Sequence, residues 1–347
     1  MSETSPPPAR AAADVPKTRP TPGRRGRSVS AVAQDAAVGR RARSPAHIPW
    51  SGWKQVFGRT WREISSDRIG LVAAGCAFWA TLALFPAISM MISLYGLVFD
   101  PQTVEPQLDQ LRLLLPPAAF TLIDQRVRSL VAHGSTTLGL SLFLSTAFAL
   151  WSASTGTKSL LSALNLAYEE DEQRSFIGFQ VIGLLLTLCA ILGVILGLAI
   201  LLGLPAVISF LGLSGHVRGL VRFGSFAVLV VFLLLALSLL YRFGPSRRAA
   251  RWHWVTPGSI LATVLWLAGS ALFSLYVGHL ASYDATYGPL GAVAGVMMWF
   301  WLSAYVVLLG AELNAELELQ TTEDTTLGGA RPMGARGAFV ADHVASD

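Results

Sequence analysis

Two stretches of this chain, Ile69 to Phe99 and Ala285 to Ala311, contain no charged residue at all. A helix rises about 1.5 Å per residue, so about 20 apolar residues cover the roughly 30 Å hydrocarbon layer of a bilayer. Runs of this length do not fit inside one soluble core. The composition agrees, since 53% of the 347 residues are apolar and 14% charged, where soluble chains carry about 25% charged residues. An outer-membrane barrel would show short alternating segments instead, so the chain reads as an all-α polytopic membrane protein.

Six stretches are long enough to cross: Ile69 to Phe99, Leu138 to Thr157 with its flanks, Phe176 to about Leu202, Phe223 to Tyr241, Val255 to Leu280, and Pro289 to about Ala311. Pro205 and the Gly212 to Gly215 segment mark the end of the third. Residues 69–319 are therefore expected to form a six-helix transmembrane domain. Orientation follows from Lys and Arg in the connections. The N-terminal segment, the second and fourth connections and the C-terminal tail together hold 21, and the alternate connections hold 5. Arg242, Arg247, Arg248 and Arg251 crowd one short link without an acid. Both termini are expected in the cytoplasm.

Outside the spans, residues 1–47 are basic and rich in Pro, Ala, Arg and Ser, and are expected to be a disordered tail, as are residues 320–347. No apolar run follows the early basic residues closely enough for a signal peptide. Residues 48–68 read as an amphipathic interfacial helix. Trp50, Trp53, Phe57, Trp61 and Ile64 share one stripe, with Gln55, Arg59 and Arg62 opposite. That stripe suits either the headgroup layer or the bundle's own surface. Gln102 to His133 reads as two short helices across the outer surface, broken at Pro116 and Pro117.

Chemistry is sparse. The six histidines, at 47, 133, 216, 253, 279 and 343, stand alone, and Cys76 and Cys189 have no cysteine neighbour. Neither a metal site nor a disulfide framework follows from such spacing. Glu169, Glu170, Asp171 and Glu172 read as a solvated acidic turn. With no phosphate-binding glycine loop and no nucleophile elbow, an enzyme is not expected, nor any cofactor. No ionisable residue sits at mid-span. Lys158 and Glu312 lie near the ends of the second and sixth spans, which disfavours a proton relay and favours a neutral or lipid-like cargo. Gly193 with Gly197, and Gly291 with Gly295, are spaced for close helix packing. Pro86, and Gly288 with Pro289, are candidate helix breaks.

Several of these residues fall into a recognisable order. Ala73, Ala74, Phe78 and Leu84, Phe85, Pro86 open it; Trp151, Ser152, Gly156, Ala163, Leu164, Asn165, Tyr168, Arg174 and Phe176 continue it. Tyr241, Pro245, Pro257, Gly258, Trp266, Phe273, Tyr276, Tyr287, Gly288, Leu290, Gly291 and Trp299 follow, then Gly310, Ala311, Glu312 and Asn314. Across about residues 50–320 the chain resembles the YihY/BrkB family of bacterial inner-membrane proteins. The resemblance implies six helices with both termini inside. It implies no secure activity: the family once carried the label ribonuclease BN, its BrkB branch is named for serum resistance, and envelope lipid or solute transport has been suggested for relatives.

The expected function is movement or flipping of a lipid-like or neutral substrate for the cell envelope. A structural or partner-recruiting envelope protein is the alternative, and a tRNA-processing ribonuclease a distant third. Expected partners are membrane lipids, an envelope protein or a second copy, with no specific nucleic acid. The polar residues of the matching motifs, Asn165, Arg174, Arg242, Glu312 and Asn314, are the candidate functional cluster, with Glu312 expected to pair with Arg174 or Arg242.

Overall fold

The computed structural model describes residues 35–98, 138–198, 200, 215–280 and 289–345. Residues 1–34 of the basic tail, the Gln102 to His133 segment, the 203–214 turn and Gly288 lie outside the described residues.

Each apolar stretch forms one long helix. Helix α1 spans Trp50–Ser66, α2 Ile69–Val98, α3 Leu138–Ala167, α4 Phe176–Leu198, α5 Gly215–Phe243, α6 Trp252–Leu280, α7 Pro289–Leu319 and the short α8 Phe339–Asp342. The described residues contain one isolated β-bridge, Ala250 to Thr326, and no strand. By length and apolarity four described helices can cross a membrane, over Phe176–Gly197, Phe223–Phe243, Trp252–Tyr276 and Val293–Leu319. A fifth arises if α1 and the start of α2, bent by 60° at their junction, count as one span.

Pro86 does not break α2, which runs through it to Val98. Pro289 is the first residue of α7, where a missing N–H has no helical partner to lose.

The helices neighbour one another in the order α4, α3, α2, α7, α6, α5. Side chains close the remaining seam: a Cβ placed on Gly193 of α4 would lie 3.1 Å from the Phe232 ring of α5, and one on Gly197 3.5 Å from Leu229. These glycines seat side chains. The close backbone approach falls elsewhere, at Gly258 of α6 and Gly310 of α7, where a Cβ on Gly310 would sit 2.7 Å from the Gly258 carbonyl oxygen.

Packing is uneven along the bundle. Every residue from Gly310 to Thr321 is buried, although the segment carries Glu312, Asn314, Glu316, Glu318 and Gln320. Toward the other end, α6 has no buried residue from Val264 to Tyr276, nor α7 among its described residues before Ala304. Large apolar side chains such as Leu272, Leu275 and Val293 are exposed along these faces.

The end of α7 is covered by segments expected to be disordered. Residues 320–345 fold over it: Ala345 N–H donates to Leu319, and Arg336 donates to the carbonyls of Thr322, Glu323 and Ala341. Asp342 accepts the N–H groups of Gly334, Arg336 and Gly337. From the other terminus, the Arg40 carbonyl accepts the Thr322 N–H at 2.7 Å, and Arg40 Nη1 donates to Ala345. The expectation of disorder is thus corrected for 320–345 and for 35–47. A Pro- and Gly-rich composition hides order when backbone carbonyls and buried charges supply the bonds that apolar periodicity does not.

Candidate functional site

The polar residues gather at the end of the bundle where residues 35–48, the α3–α4 and α5–α6 links and the C-terminal segment meet. At its centre Asn314 reaches from α7 to α6. Its Oδ1 accepts the Gly258 N–H at 2.8 Å and its Nδ2 donates to the Val255 carbonyl at 3.1 Å. Pro257 lies between those two residues and carries no N–H, so a side chain from outside the helix supplies bonds at an irregular turn. The Tyr241 hydroxyl donates to the Val307 carbonyl at 2.8 Å, tying α5 to α7 about two turns before Asn314.

A second group fastens α3 to the α5–α6 link. Asn165 Oδ1 accepts the Ser246 N–H at 2.8 Å, and its Nδ2 donates to Glu172 at 2.9 Å. Arg174 Nη2 donates to the carbonyls of Gly244 and Pro245, at 2.8 and 2.7 Å, just past the end of α5. An arginine there satisfies carbonyls that the helix leaves open and faces the negative end of its dipole. Burial works to raise the Glu172 pKa, but the Arg174 N–H, the Asn165 amide and the Arg174 charge outweigh it, and the carboxyl lies below its ordinary range. Glu170, expected in a solvated turn, instead accepts the Phe339 N–H at 2.7 Å, and burial raises its pKa.

Three carboxylates of α7 turn to different partners. Successive residues advance about 100° around a helix, so Glu312 and Glu316 share a face while Glu318 points away from it. Glu316 meets Arg59 of α1 at 2.5 Å, and Arg59 also donates to Gln320 at 2.7 Å. Glu318 receives Arg247 through two bonds, at 2.8 and 3.1 Å, with both side chains fully buried, and accepts the Thr325 hydroxyl at 2.6 Å. Glu312 is 3% exposed, its Oε1 has no hydrogen-bond partner, and it lies beside Asp67, at the bend between α1 and α2.

The expected pairing of Glu312 with Arg174 or Arg242 is therefore corrected. Arg174 is spent on carbonyls, and the phase of α7 turns Glu312 toward Asp67. Arg242 is 7% exposed and stacks over the Trp252 ring, 4.2 Å from its centroid. The structure thus brings Asn165 and Arg174 into one network, places Asn314 at the α6–α7 contact, and leaves Arg242 and Glu312 at separate points of the layer.

Helix α1 resolves its two readings in an unexpected way. Its buried face is Gly52, Val56, Arg59 and Thr60, while Trp50, Phe57 and Trp61 are exposed. Arg59 lies opposite the tryptophans, as its spacing predicts, but it faces α7 and not solvent, while Arg62 is exposed.

Arg59, Arg247, Glu316, Glu318, Gln320 and Arg336 are the residues that the sequence reading passed over. The signal was there in part, because the α5–α6 link holds three arginines and the end of α7 three glutamates.

Among the described residues no group of three or more His, Cys, Asp or Glu could hold a metal ion. A family model described as Virulence factor BrkB matches residues 60–333. The chain is 31% identical over 256 residues to a ribonuclease-like protein, YfkH, of Bacillus subtilis, covering 71% of this chain and 88% of that protein. It is 26% identical over 288 residues to a UPF0761 membrane protein of Idiomarina loihiensis, covering 77% and 94%. A UPF0761 membrane protein of Alkalilimnicola ehrlichii is 29% identical over 262 residues, 71% of this chain and 54% of the relative. No solved structure matches. With the matched region spanning every helix from the end of α1 to α7 and the polar layer between them, the chain belongs to the Virulence factor BrkB family of membrane proteins.

Proposed function

We propose that this protein moves or flips a lipid-like or neutral substrate across a bacterial inner membrane, with both termini in the cytoplasm. The observation that carries the reading is the uneven packing of the bundle. Its polar end is sealed by interlocked side chains, while the other half of α6 and α7 presents apolar, partly open walls. A charged solute would meet no partner on those walls, whereas an acyl chain is compatible with them. Orientation is supported by the four basic segments, with 21 of the 26 Lys and Arg, whose described parts meet at the same end.

The test is reconstitution into phosphatidylglycerol vesicles carrying a fluorescent phospholipid, with a membrane-impermeant quencher added outside. Movement between leaflets faster than in protein-free vesicles is the expected result, and equal rates overturn the proposal.

A second reading, a partner-recruiting envelope protein, is favoured by the folded cap of residues 320–345, which offers a built surface at the membrane. We read the chain as a non-enzyme. This reading is set against the ribonuclease-like name of the Bacillus relative. Incubation with tRNA and divalent metal is expected to leave the RNA intact.

A further inference from the structure

Arg242 is 7% exposed, yet its Nε and Nη1 have no hydrogen-bond partner. Its guanidinium lies against aromatic faces, 4.2 Å from the Trp252 centroid and 5.2 Å from that of Phe243. Buried guanidinium groups ordinarily find acceptors, and an unmatched one is costly. The ring contact uses the face of the guanidinium and leaves its in-plane N–H groups unused.

The surroundings add positive charge and offer little to neutralise it. On the same link and beside it, Arg247 Nε and Arg248 Nη1 are also buried without an acceptor, and Arg174 Nη1 faces Glu172 at 3.7 Å, beyond hydrogen-bond reach. The nearby carboxylates are engaged, Glu318 by Arg247 and Glu172 by Asn165 and the Arg174 N–H. Position supplies the rest. Arg242 is in the last turn of α5 and Trp252 opens α6, so both stand where apolar spans end. Trp252 and Phe243 are 44% and 48% exposed, as aromatic side chains at headgroup depth are. The acceptor common at that depth is phosphate, which a planar guanidinium binds through charge-assisted bonds.

We propose that Arg242, backed by Trp252, is a binding site for a phosphate group at the membrane surface. A phospholipid headgroup or a free phosphate can supply that group. The site stands whether or not the protein transports anything, because it requires only binding.

The test uses the purified full chain in a non-ionic detergent, titrated with short-chain phosphatidylglycerol, with the diacylglycerol of matched tails, and with inorganic phosphate. Thermal stability and native mass spectrometry are the readouts. Phosphatidylglycerol is expected to raise Tm saturably and diacylglycerol is not. Arg242→Gln should weaken the phosphatidylglycerol response roughly tenfold or more, the scale of a lost charged hydrogen bond. If inorganic phosphate reproduces the shift and displaces the lipid, the free anion is the ligand; if it does neither, the ligand is the headgroup. Equal responses to phosphatidylglycerol and diacylglycerol in the wild type overturn the proposal, as does an unchanged affinity in Arg242→Gln. Should that variant fail to accumulate, Trp252→Leu decides. It keeps the arginine but removes its platform, so weakened binding supports the site and unaltered binding overturns it.

Discussion

Arg247 and Glu318 form a two-pronged ion pair in which neither side chain is exposed, with the Arg247 guanidinium lying 4.2 Å from the Tyr168 ring centroid. It joins the α5–α6 link to the end of α7, the most heavily covered segment of the chain. Removing one partner leaves the other charge buried and unmatched, at about 3 to 5 kcal/mol. Glu318→Ala is therefore expected to lower thermal stability sharply. Glu318→Leu combined with Arg247→Met should recover most of the loss, and a double variant no better than the single one would contradict this account.

The glycines separate by what faces them. Gly258→Ala and Gly310→Ala place a methyl group against the backbone of the opposing helix, so both should abolish stable folding or cost several-fold in yield. Gly193→Ala meets the tip of Phe232, which can turn, and should be tolerated. Gly58→Ala in α1 meets nothing within 4 Å and should stabilise by about 0.4 to 1 kcal/mol. Expression and Tm of the four variants check the order.

The C-terminal cap should depend on pH in one direction. Burial works to raise Asp342, but the Arg336, Gly334 and Gly337 N–H groups outweigh it and hold the pKa below the ordinary 3.8; Asp324 is lowered similarly by the Arg331 N–H and Thr326. A carboxyl with a depressed folded pKa contributes stability that is present above 3.8 and lost as pH falls through the folded value. Protection of residues 320–345 against hydrogen exchange, taken relative to the intrinsic rate at each pH, should therefore stay high at neutral pH and fall only in acid below that range. Asp342→Asn should exchange faster at neutral pH and show a weaker acid dependence.

Glu312→Gln probes the acid pair with Asp67. The amide keeps the size and shape of the buried side chain beside Asp67 and removes its acid, so accumulation and Tm should be preserved. If the pair takes part in moving substrate, lipid movement in vesicles falls while folding persists. Full activity in the variant removes Glu312 from the functional cluster.

Reporter fusions should read cytoplasmic after Arg251 and external after Gln110 and Tyr283, as the charge asymmetry requires. The reverse pattern at all three sites would invert the orientation.

The helices were legible because apolar runs of this length have one stable form in lipid. Their ends were less so. The second and sixth stretches were expected to end near Thr157 and Ala311, and the helices run on to Ala167 and Leu319. The added turns carry Lys158, Asn165, Glu316 and Glu318, whose polarity suggests exit into water, yet each has a protein partner such as Gln180 for Lys158. Asn165 and Asn314 were legible as polar residues at span ends. Their bonds were not, because these depend on helical phase and on loop backbone groups that no side-chain pattern reveals. The Arg40 to Thr322 contact joins residues separated by nearly the whole chain, beyond the reach of any local periodicity.

That contact also sets a schedule. Residue 40 leaves the ribosome long before residue 322, and synthesis at about 5 to 20 residues per second separates them by roughly 15 to 60 seconds. Throughout that interval the early segment has no docking partner, and the buried end of α7 does not yet exist. Helices can enter the membrane one by one, but their common end stays unlocked until the last stretch is made. The final residues thus act as a completion signal: a nascent chain interrupted before residue 320 would hold its helices and lack its latch, leaving an open polar face for quality-control proteases to recognise.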